Sequence, residues 1–465
     1  MLPHTPQFEL ACRIITTLRD AGYEAYLAGG CVRDLLLGRE PEDYDVATSA
    51  TPDVVLGLFP RTIAVGAHFG VVLVPEAPKD SSKESKGAER PPTEVATFRS
   101  DGVYSDGRHP DEVRYTTSAE EDVQRRDFTI NGLLLDALRA ADSFATPEAL
   151  RSAVIDHVGG LADLDAGVIR AIGQPERRFE EDQLRLLRAV RFAARFGFRI
   201  DPATHSAIRH HAARIHAVSR ERVRDELTKM LTEGHARRAF ELLDETGLLV
   251  QVLPEVAAMK GVEQPPQFHP EGDVWIHTLL LLEQLQPQCP LTLAWGALLH
   301  DVGKPPTFRR AERIRFDGHV EIGLAMGAEI CRRFRFSNDE TRQILALIQN
   351  HMRFADAARM KASTLKRFFR LESFDQHLAL HRMDCLASGG NLDHWNFVRL
   401  RYEAMPEEAV RPRPLLTGRE LIAAGYTPGA QFKEMLRGVE DAQLEGTIAT
   451  PEQALNLVRE RFPLG

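Results

Sequence analysis

A glycine pair followed by an aspartate pair is the first group of residues whose types and spacing could do chemistry. Gly29 and Gly30 follow an apolar segment and precede a helix-like one, and Asp43 and Asp45 come soon after. Two glycines before a helix let backbone amides approach an anion at the helix N-terminus. Asp43 and Asp45, alternating along a predicted strand, would present both carboxylates on one face. Such a pair can hold a divalent cation that also touches phosphates, as metal-assisted phosphoryl or nucleotidyl transfer requires.

An aspartate pair by itself is more often a turn with surface carboxylates than a metal site. The glycine pair and Arg33, which lies one turn into the following helix and can hold a phosphate, reverse that weighting. Glu94 opens another predicted strand. We treat Glu94 as a candidate third carboxylate, with a structural role as the equal alternative.

The segment Arg125-Arg126-Asp127-Phe-Thr-Ile-Asn131 places two cations, a carboxylate and an amide at a helix start. These groups suit a ribose hydroxyl and a triphosphate. Taken alone, the segment is better explained as a capped helix with a surface ion pair.

An arginine-rich helical segment follows. Asp182 and Arg185 are predicted to lie one helical turn apart and to brace each other, which would offer an acceptor and a donor fork to the edge of a base. Arg188 and Arg191 follow at the same spacing, within reach of phosphates. Residues 177–238 contain fourteen Arg and one Lys against eight acidic residues. We therefore expect nucleic-acid contact rather than a solvated charged helix.

A second set of chemically capable residues lies further along the chain. One histidine on an apolar helix is usually a core residue, but six histidine and aspartate positions spread over several helices form a different pattern. Imidazoles and carboxylates can hold one or two transition metals or Mg²⁺ and activate water for phosphate-ester hydrolysis. The six positions are His277, His300, Asp301, His319, His351 and Asp384.

Composition sets the limits within which these sites must work. The chain has 465 residues, 43% hydrophobic and 27% charged, which predicts several folded domains rather than a disordered chain. Five scattered cysteines without a C-x-x-C pair suggest neither a disulfide framework nor a thiolate zinc site. No apolar run is long enough to span a bilayer and no signal pattern is evident, so we expect a cytoplasmic protein. The net charge of −9 requires a local basic patch for any nucleic-acid partner.

The elements that must position these residues fall into blocks of an α+β protein. Strand patterns dominate residues 1–145 and predict a small mixed sheet, whereas long helical periodicities dominate afterwards. Proline-rich breaks near residues 264–270 and 406–414 predict boundaries between three helical domains, at 146–263, 264–405 and 406–465. The segment Pro75–Pro92 is predicted to be an exposed hairpin loop with no chemical role.

Taken in order, these motifs resemble a known family. Gly-Gly-x-Val-Arg-Asp, D-x-D, Arg-Arg-Asp-Phe-Thr-Ile-Asn, Asp156-His-Val-Gly-Gly-Leu-Ala-Asp163, Glu-Asp-x-x-Arg and Ser219-Arg-Glu-Arg222 occur in the order seen in class II tRNA nucleotidyltransferases, the family of bacterial CCA-adding enzymes and poly(A) polymerases. The match covers about residues 20–235. The later histidine–aspartate set resembles the HD phosphohydrolase superfamily.

The resemblance implies a nucleotidyltransferase head at 1–145, a helical neck at 146–263, an HD domain at 264–405 and a C-terminal helical segment that contacts tRNA. It implies a template-independent enzyme that builds or repairs the 3′-terminal CCA of tRNA from CTP and ATP. No membrane and no protein partner are predicted. Mg²⁺ would be bound at the head, and a divalent metal such as Mg, Mn, Ni or Co at the HD site.

The same resemblance implies roles for individual residues. Asp43 and Asp45 would bind the catalytic Mg²⁺, with the Gly29–Gly30 turn and Arg33 at the triphosphate. Arg126 and Asp127 would lie near the ribose. Asp182 and Arg185 would act as a protein template for the cytosine or adenine edge, and Arg188 and Arg191 would complete the pocket.

Alternatives within and beyond this family stay open at the level of sequence. The product could be CCA, a single A or a poly(A) tail. CC-adding members of the family that the motifs resemble tend to lack part of one loop. That loop, Arg99–Val113 with Ser105-Asp-Gly-Arg108, looks complete here, so addition of CC alone is disfavoured. An HD phosphohydrolase with an RNA-binding head is the alternative from another class. Hydrolysis at the HD site is itself open, since such domains can persist as scaffolds.

Overall fold

A computed structural model describes residues 5–64, 70–76, 92–101, 113–141, 147–267 and 269–464. The chain divides into two compact units, Met1–Met230 with Arg238–Val252 and Leu231–Arg237 with Leu253–Gly465. Most of the predicted 75–92 loop, and the Ser105-Asp-Gly-Arg108 stretch, lie outside the described residues. The α+β class is confirmed, with a mixed sheet early in the chain and helices after it.

Eleven short strands are described in the first unit. Their bounds are Ala25–Ala28 (β1), Val46–Thr48 (β2), Ile63–Ala64 (β3), Val71–Val74 (β4), Thr93–Thr97 (β5), Arg99–Asp101 (β6), Val113–Tyr115 (β7), Leu133–Leu135 (β8), Val154–Asp156 (β9), Val168–Ile169 (β10) and Arg199–Ile200 (β11). Seven of them form one sheet in the order β3-β4-β5-β2-β1-β8-β9. Neighbours in this sheet are antiparallel except β2 and β5, which are parallel.

Helices cover the sheet and make up the remainder of the first unit. Their bounds are Pro6–Asp20 (α1), Gly30–Leu36 (α2), Pro52–Leu58 (α3), Ala119–Gln124 (α4), Ala137–Ala141 (α5), Pro147–Ser152 (α6), Gly160–Ala166 (α7), Pro175–Glu181 (α8), Leu184–Phe196 (α9), Pro202–His211 (α10), Arg220–Thr232 (α11), Ala236–Glu245 (α12) and Leu248–Val252 (α13). Two 3₁₀ turns span Thr129–Asn131 and Ala212–Ala217. A buried cluster around Phe98, Val123 and Leu134 joins α4 to the sheet.

The second unit is almost entirely helical. Its helices are Pro254–Ala257 (α14), Val274–Glu283 (α15), Leu291–Leu299 (α16), Lys304–Thr307 (α17), His319–Arg333 (α18), Asn338–Asn350 (α19), Ala362–Phe369 (α20), Phe374–Ala387 (α21), Asp393–Glu403 (α22), Glu407–Val410 (α23), Gly418–Ala423 (α24), Gln431–Glu445 (α25) and Pro451–Arg461 (α26). A 3₁₀ segment spans His351–Arg359, and Arg309–Arg310 (β12) pairs with Ile314–Arg315 (β13) in a small hairpin.

Two separate apolar clusters in the second unit flank the predicted break at 406–414. One gathers residues from Phe354 to Val410, and the other gathers residues from Leu416 to Val458. The domain boundaries themselves stay predictions. No helix among the described residues is long and apolar enough to cross a bilayer.

Candidate nucleotide site and metal centre

Asp43 and Asp45 lie in the segment immediately before β2. The prediction that the pair alternates along a strand was therefore wrong. The chain there is still tied to the sheet, since the Asp45 carbonyl accepts a hydrogen bond of 3.0 Å from the Ala28 amide. Val46 of β2 is the parallel partner of Val95 in β5. The residues that precede them, Asp45 and Glu94, are therefore neighbours across the two strands.

The charge at this edge is uncompensated. The pKa of Asp45 is raised to about 7, first by burial and then by the negative charges of Asp43 and Glu94, while Arg126 acts in the opposite direction. A bound cation would relieve both the burial penalty and the repulsion. These three carboxylates therefore fit a hard divalent cation, whose preferred ligands are oxygens.

The glycine turn lies against Arg126. Gly29 has a φ of +74°, and a Cβ added there would meet a guanidinium nitrogen of Arg126 at 2.8 Å. Arg126 is also held by Asp122, at 3.0 Å. The structure thus brings together three predicted site residues: Gly29, Gly30 at the start of α2, and Arg126.

Arg33 is buried and paired within the chain, and its role at the triphosphate stays a prediction. It is only 4% exposed, its Nη1 donates to Asn131 Oδ1 at 2.5 Å, and its Nε donates to Asp34 at 2.9 Å. The guanidinium also stacks on Phe196 and Phe192, with centroid distances of 4.6 and 5.2 Å. Arg33 lies on the buried face of a two-turn helix, where its guanidinium contacts Asp34 and Asn131.

Asp127 is likewise committed to its neighbours. Its Oδ2 accepts from Arg188 Nε and Nη2 at 2.8 and 2.7 Å, and its Oδ1 accepts from Asn131 Nδ2 at 3.0 Å. Burial would raise the pKa of Asp127, but Arg188 and Asn131 lower it to about 2. A ribose contact by a free carboxylate is therefore not what this arrangement offers. Asp127 instead fixes Arg188, and Asn131 links Asp127 to Arg33.

Asp182 and Arg185 do not brace each other, which corrects the sequence prediction. Asp182 is the C-cap of α8 in an extended conformation, outside α9, so helical i,i+3 spacing does not apply to the pair. Asp182 Oδ2 accepts from Arg222 Nη2 at 2.9 Å. Arg185 donates instead to Glu181 Oε2 at 2.8 Å and to the Arg125 carbonyl at 3.0 Å.

The remaining two neck arginines differ in environment. Arg188 keeps 32% of its side chain exposed beside Asp127. Arg191 pairs with Glu226 at 2.7 Å, and both side chains are almost fully buried. The predicted place of Arg191 in the nucleotide pocket stays a prediction, and its observed contact is with Glu226. Its role in this structure is to join α9 to α11.

The Asp156–Asp163 motif supports the site indirectly, through its contacts with a neighbouring turn. Asp156 accepts from the amides of Gly160 and Leu161 at 3.0 and 2.9 Å, which shapes the turn before α7. Gly160 packs on the Thr129 carbonyl so closely that an added Cβ would lie 2.2 Å from it. Asp163 accepts from the Thr129 hydroxyl at 2.7 Å. The motif therefore positions the 3₁₀ turn that ends at Asn131.

In the second unit, the six predicted histidine and aspartate positions converge. Atoms that could each ligate a metal lie within 4.8 Å of one another in two groups, one of His277, His300 and Asp384 and the other of Asp301, His319 and His351. Among the described residues, groups this tight occur only in this unit. The carboxylates at residues 43, 45 and 94 are more widely spaced.

Each histidine has its Nδ1 engaged, which fixes its tautomer. The Nδ1 atoms of His300, His319 and His351 lie 2.8, 3.0 and 2.7 Å from backbone carbonyls. A carbonyl only accepts, so each Nδ1 carries the proton and each Nε2 presents a lone pair, as metal-ligating histidines do. His277 Nδ1 lies 2.8 Å from Glu271 Oε1, which plays the corresponding part.

The groups that face the centre have no hydrogen-bond partners among the described residues. They are the Nε2 atoms of all four histidines and Oδ1 of Asp301, all of them buried. Leaving five such atoms unsatisfied is costly unless a ligand completes them. Asp301 lies between the two groups, with Oδ2 at 3.2 Å from His300 Nε2 and Oδ1 at 3.7 Å from His351 Nε2. The donor set therefore fits one or two divalent metals.

Two residues at this centre were not assigned from the sequence. Glu271 contacts His277 Nδ1. Against the effect of burial, Asp384 and then Glu271 raise the pKa of that imidazole to about 9, so a metal at His277 Nε2 would have to displace a proton. Lys304 Nζ lies 2.6 Å from Asp301 Oδ2. Lys304 could have been found from the sequence, because it lies three residues after Asp301 on the same face of a helical turn. Glu271 directly follows the proline-rich segment, where no pattern pointed to it.

Gly303 explains the close approach of two ligand-bearing segments. A Cβ added at Gly303 would lie 2.0 Å from the His319 carbonyl and 2.6 Å from the Gly323 amide. Only glycine allows the turn after Asp301 to contact the start of α18 at this distance. Beside the cluster lies a cavity of about 750 Å³, which Asp301, His319, His351 and Asp384 help to line.

Comparison with known families matches this arrangement segment by segment. The "Poly A polymerase head domain" matches residues 25–170, and the "Probable RNA and SrmB- binding site of polymerase A" matches residues 197–260. The "HD domain" matches residues 273–409. The chain is thus similar to poly(A) polymerase head and RNA-binding domains over residues 25–260 and to HD domains over residues 273–409. The family resemblance inferred from the motifs is thereby confirmed.

Curated relatives and a solved structure within this family are named as CCA-adding enzymes. The chain is 42% identical over 243 residues to the CCA-adding enzyme of Geobacillus stearothermophilus, covering 52% of this chain and 54% of that protein. It is 38% identical over 281 residues to that of Lactobacillus helveticus strain DPC 4571, covering 59% and 64%. The matches thus span between about half and two thirds of these relatives. The crystal structure of Bacillus stearothermophilus CCA-adding enzyme in complex with CTP matches 98% of this chain and 99% of its own, with 28% identity and a TM-score of 0.71.

Proposed function

We propose that this protein is a template-independent tRNA nucleotidyltransferase that builds or repairs the 3′-terminal CCA of tRNA from CTP and ATP. In the reaction, the RNA 3′ hydroxyl gives its proton to water, and its oxygen bonds to the α-phosphorus of the nucleotide. The bond between the α-phosphorus and the bridging oxygen breaks, and pyrophosphate leaves with that electron pair. Catalysis rests mainly on placement and charge neutralisation.

The observation that supports this proposal most strongly is the parallel pairing of β2 with β5, which brings Asp45 beside Glu94 and next to Asp43. We propose Asp43 and Asp45 as the Mg²⁺ ligands, with Glu94 as the third carboxylate. When bound, Mg²⁺ would neutralise phosphate charge and lower the barrier to attack. The Gly29–Gly30 turn and Arg126, which lie together, are proposed to receive the triphosphate.

Base selection is proposed to depend on an exchange of partners. Asp182 is paired with Arg222 and Arg185 with Glu181. An incoming cytosine or adenine has an exocyclic amine for Asp182 and a ring acceptor for Arg185. The nucleotide therefore competes with Arg222 and Glu181, and Arg188 lies beside the same segment, held by Asp127.

The decisive experiment for the product uses tRNA transcripts that end before CCA, after the first C, or after CC. Each is incubated with CTP or ATP alone and with both. Addition of two C residues to the first transcript and of A to the third supports CCA addition. Addition of A only to the transcript that ends in CC would identify an A-adding enzyme, and long A tails would identify a poly(A)-adding one.

A second candidate function, phosphate-ester hydrolysis at the HD centre, is favoured by the five buried ligand atoms without partners. We propose that His277, His300, Asp301, His319, His351 and Asp384 hold one or two divalent ions, such as Mg, Mn, Ni or Co. The bound metal would activate water towards 2′,3′-cyclic phosphates or phosphomonoesters.

The two proposed activities should be separable. A His300→Ala/Asp301→Ala variant should lose bound metal and any hydrolysis but retain nucleotide addition, because no nucleotide contact is proposed there. Complete loss of addition in a well-folded variant would show that the two chemistries are not independent. We also propose that the C-terminal segment 406–465 contacts tRNA. A cytoplasmic location is proposed as well.

A further inference from the structure

The cavity beside the HD cluster is lined by three carboxylates, Asp301, Asp317 and Asp384, and by cationic side chains that the metal cluster does not all use. Three cationic side chains line it: Lys304, Arg313 and Arg315. Lys304 is buried, and its Nζ contacts Asp301 Oδ2 at 2.6 Å and Gln264 Oε1 at 2.7 Å. Its charge is therefore balanced inside the metal cluster. The charges of the other two are not balanced there.

Arg313 and Arg315 lie on the hairpin formed by β12 and β13. Both are exposed, and no carboxylate of the described residues lies within 4.0 Å of either guanidinium, the limit for an ion pair. Arg310, on the facing strand, is instead neutralised by Glu263 at 2.6 Å. Two uncompensated guanidinium groups therefore belong to the wall of a cavity that also contains the candidate metal ligands.

The hairpin holds these two arginines in place. Arg309 pairs with Arg315, and Arg310 with Ile314, across the two strands. The rings of Phe308 and Phe316 meet at its base with centroids 6.0 Å apart. Because the backbone is fixed by these contacts, binding of an anion has to order only the two arginine side chains and not the hairpin itself.

We propose that Arg313 and Arg315 bind a second, non-reacting phosphate of the substrate. The reacting phosphate would lie at the metal ligands and Lys304, and the second would be held by the two arginine forks, which match phosphate geometry. The cavity would thus take a nucleotide with two phosphates, such as an RNA 3′ end with a terminal phosphate, in preference to a nucleoside monophosphate. This inference rests on the proposed hydrolase function of the same site.

The test compares wild type, an Arg313→Ala/Arg315→Ala variant and an Arg309→Ala control. Arg309 is exposed on the same hairpin but does not line the cavity. KM and kcat are measured for release of phosphate from uridine 3′-monophosphate, from uridine 3′,5′-bisphosphate and from an oligoribonucleotide with a 3′-terminal phosphate. Binding of the bisphosphate is measured by calorimetry with wild type and both variants, so that the difference between them reports only the contribution of the two arginines.

The double variant should raise KM for the two substrates with a second phosphate by about tenfold or more, the effect of losing a charge-assisted contact. The kcat values, KM for the monophosphate and all constants of the Arg309→Ala control should stay near wild type. A response of the bisphosphate alone would identify a free nucleotide as the ligand. A response of both larger substrates would identify an RNA 3′ end. Equal changes for all three substrates, or none, would overturn the inference. If the cavity proves not to hydrolyse anything, the calorimetric difference still decides whether the arginines bind the second phosphate.

Discussion

The guanidinium of Arg222 lies 2.9 Å from the carboxylate of Asp182, so the residue proposed to select the base has an ion-pair partner within the chain. The two residues are 40 positions apart, and their contact joins the start of α11 to the break between α8 and α9. Base selection and the packing of the neck are therefore linked through one ion pair.

Replacing Asp182 by Ala should relax selection against UTP and GTP and slow correct addition. A site built on polar edge contacts discriminates by up to about 10⁴–10⁵ in favourable cases, and removal of its acceptor loses part of that factor. Misincorporation of each nucleotide into a tRNA transcript is the measurement. Asp225→Ala is the matched control, since Asp225 is exposed on α11 and pairs with its neighbour Arg224. Unchanged selectivity with a lower rate would move the template role to another residue.

Arg191 should prove structural rather than nucleotide-binding. Its buried pairing with Glu226 means that Arg191→Ala leaves an uncompensated charge, at a cost of about 3–5 kcal/mol in the free energy of unfolding. Glu226→Ala should destabilise by a similar amount. Denaturant unfolding of both variants checks this. A stable Arg191→Ala protein with weakened CTP binding would restore the original assignment of Arg191 to the pocket.

Gly303→Ala should disrupt the HD centre without any change to a ligand. The added Cβ would collide with the backbone of His319 and Gly323, which cannot yield as a flexible side chain would. We expect a loss of stability of about 1–3 kcal/mol and weaker metal binding. Gly429→Ala serves as a control, because its added Cβ would meet nothing closer than 3.9 Å. Metal content and thermal unfolding are compared in both. Wild-type metal binding by Gly303→Ala would show that the two segments separate without cost.

Metal binding at the head should depend on pH around neutrality. The pKa of Asp45 in the metal-free chain is raised to about 7, so the carboxyl becomes protonated as pH falls through 7, and a cation must displace that proton. Mn²⁺ affinity should fall by up to about tenfold per pH unit below 7 and level off above it. The titration uses a His300→Ala/Asp301→Ala background, so that only the head site is measured. A flat profile between pH 6 and about 8 would contradict the proposed role of Asp45.

How far the sequence predicted these features depends on the range of the contacts involved. Spacing along one segment correctly grouped Gly29 with Gly30 and anticipated all six HD positions, because glycine turns and ligand-rich helices leave local signals. It did not reveal that Arg33 and Arg191 are buried, since nothing local distinguishes an arginine that faces solvent from one paired with a distant residue such as Asn131 or Glu226. The Asp182–Arg222 contact was missed for the same reason. The prediction that Asp182 and Arg185 brace each other assumed one continuous helix, and the chain leaves helical geometry at Asp182.

The central claim is that Asp43 and Asp45 support nucleotide addition to tRNA. Its most direct test is incorporation of CTP and ATP into a tRNA transcript that lacks CCA, by wild type, Asp43→Ala, Asp45→Ala and the control Asp53→Ala, an exposed aspartate in the first turn of α3. We predict two C residues and one A with wild type and the control. We predict no detectable addition with either test variant at an unchanged melting temperature, since loss of a metal ligand removes several kcal/mol of transition-state stabilisation. Wild-type incorporation by Asp43→Ala or Asp45→Ala would contradict the claim.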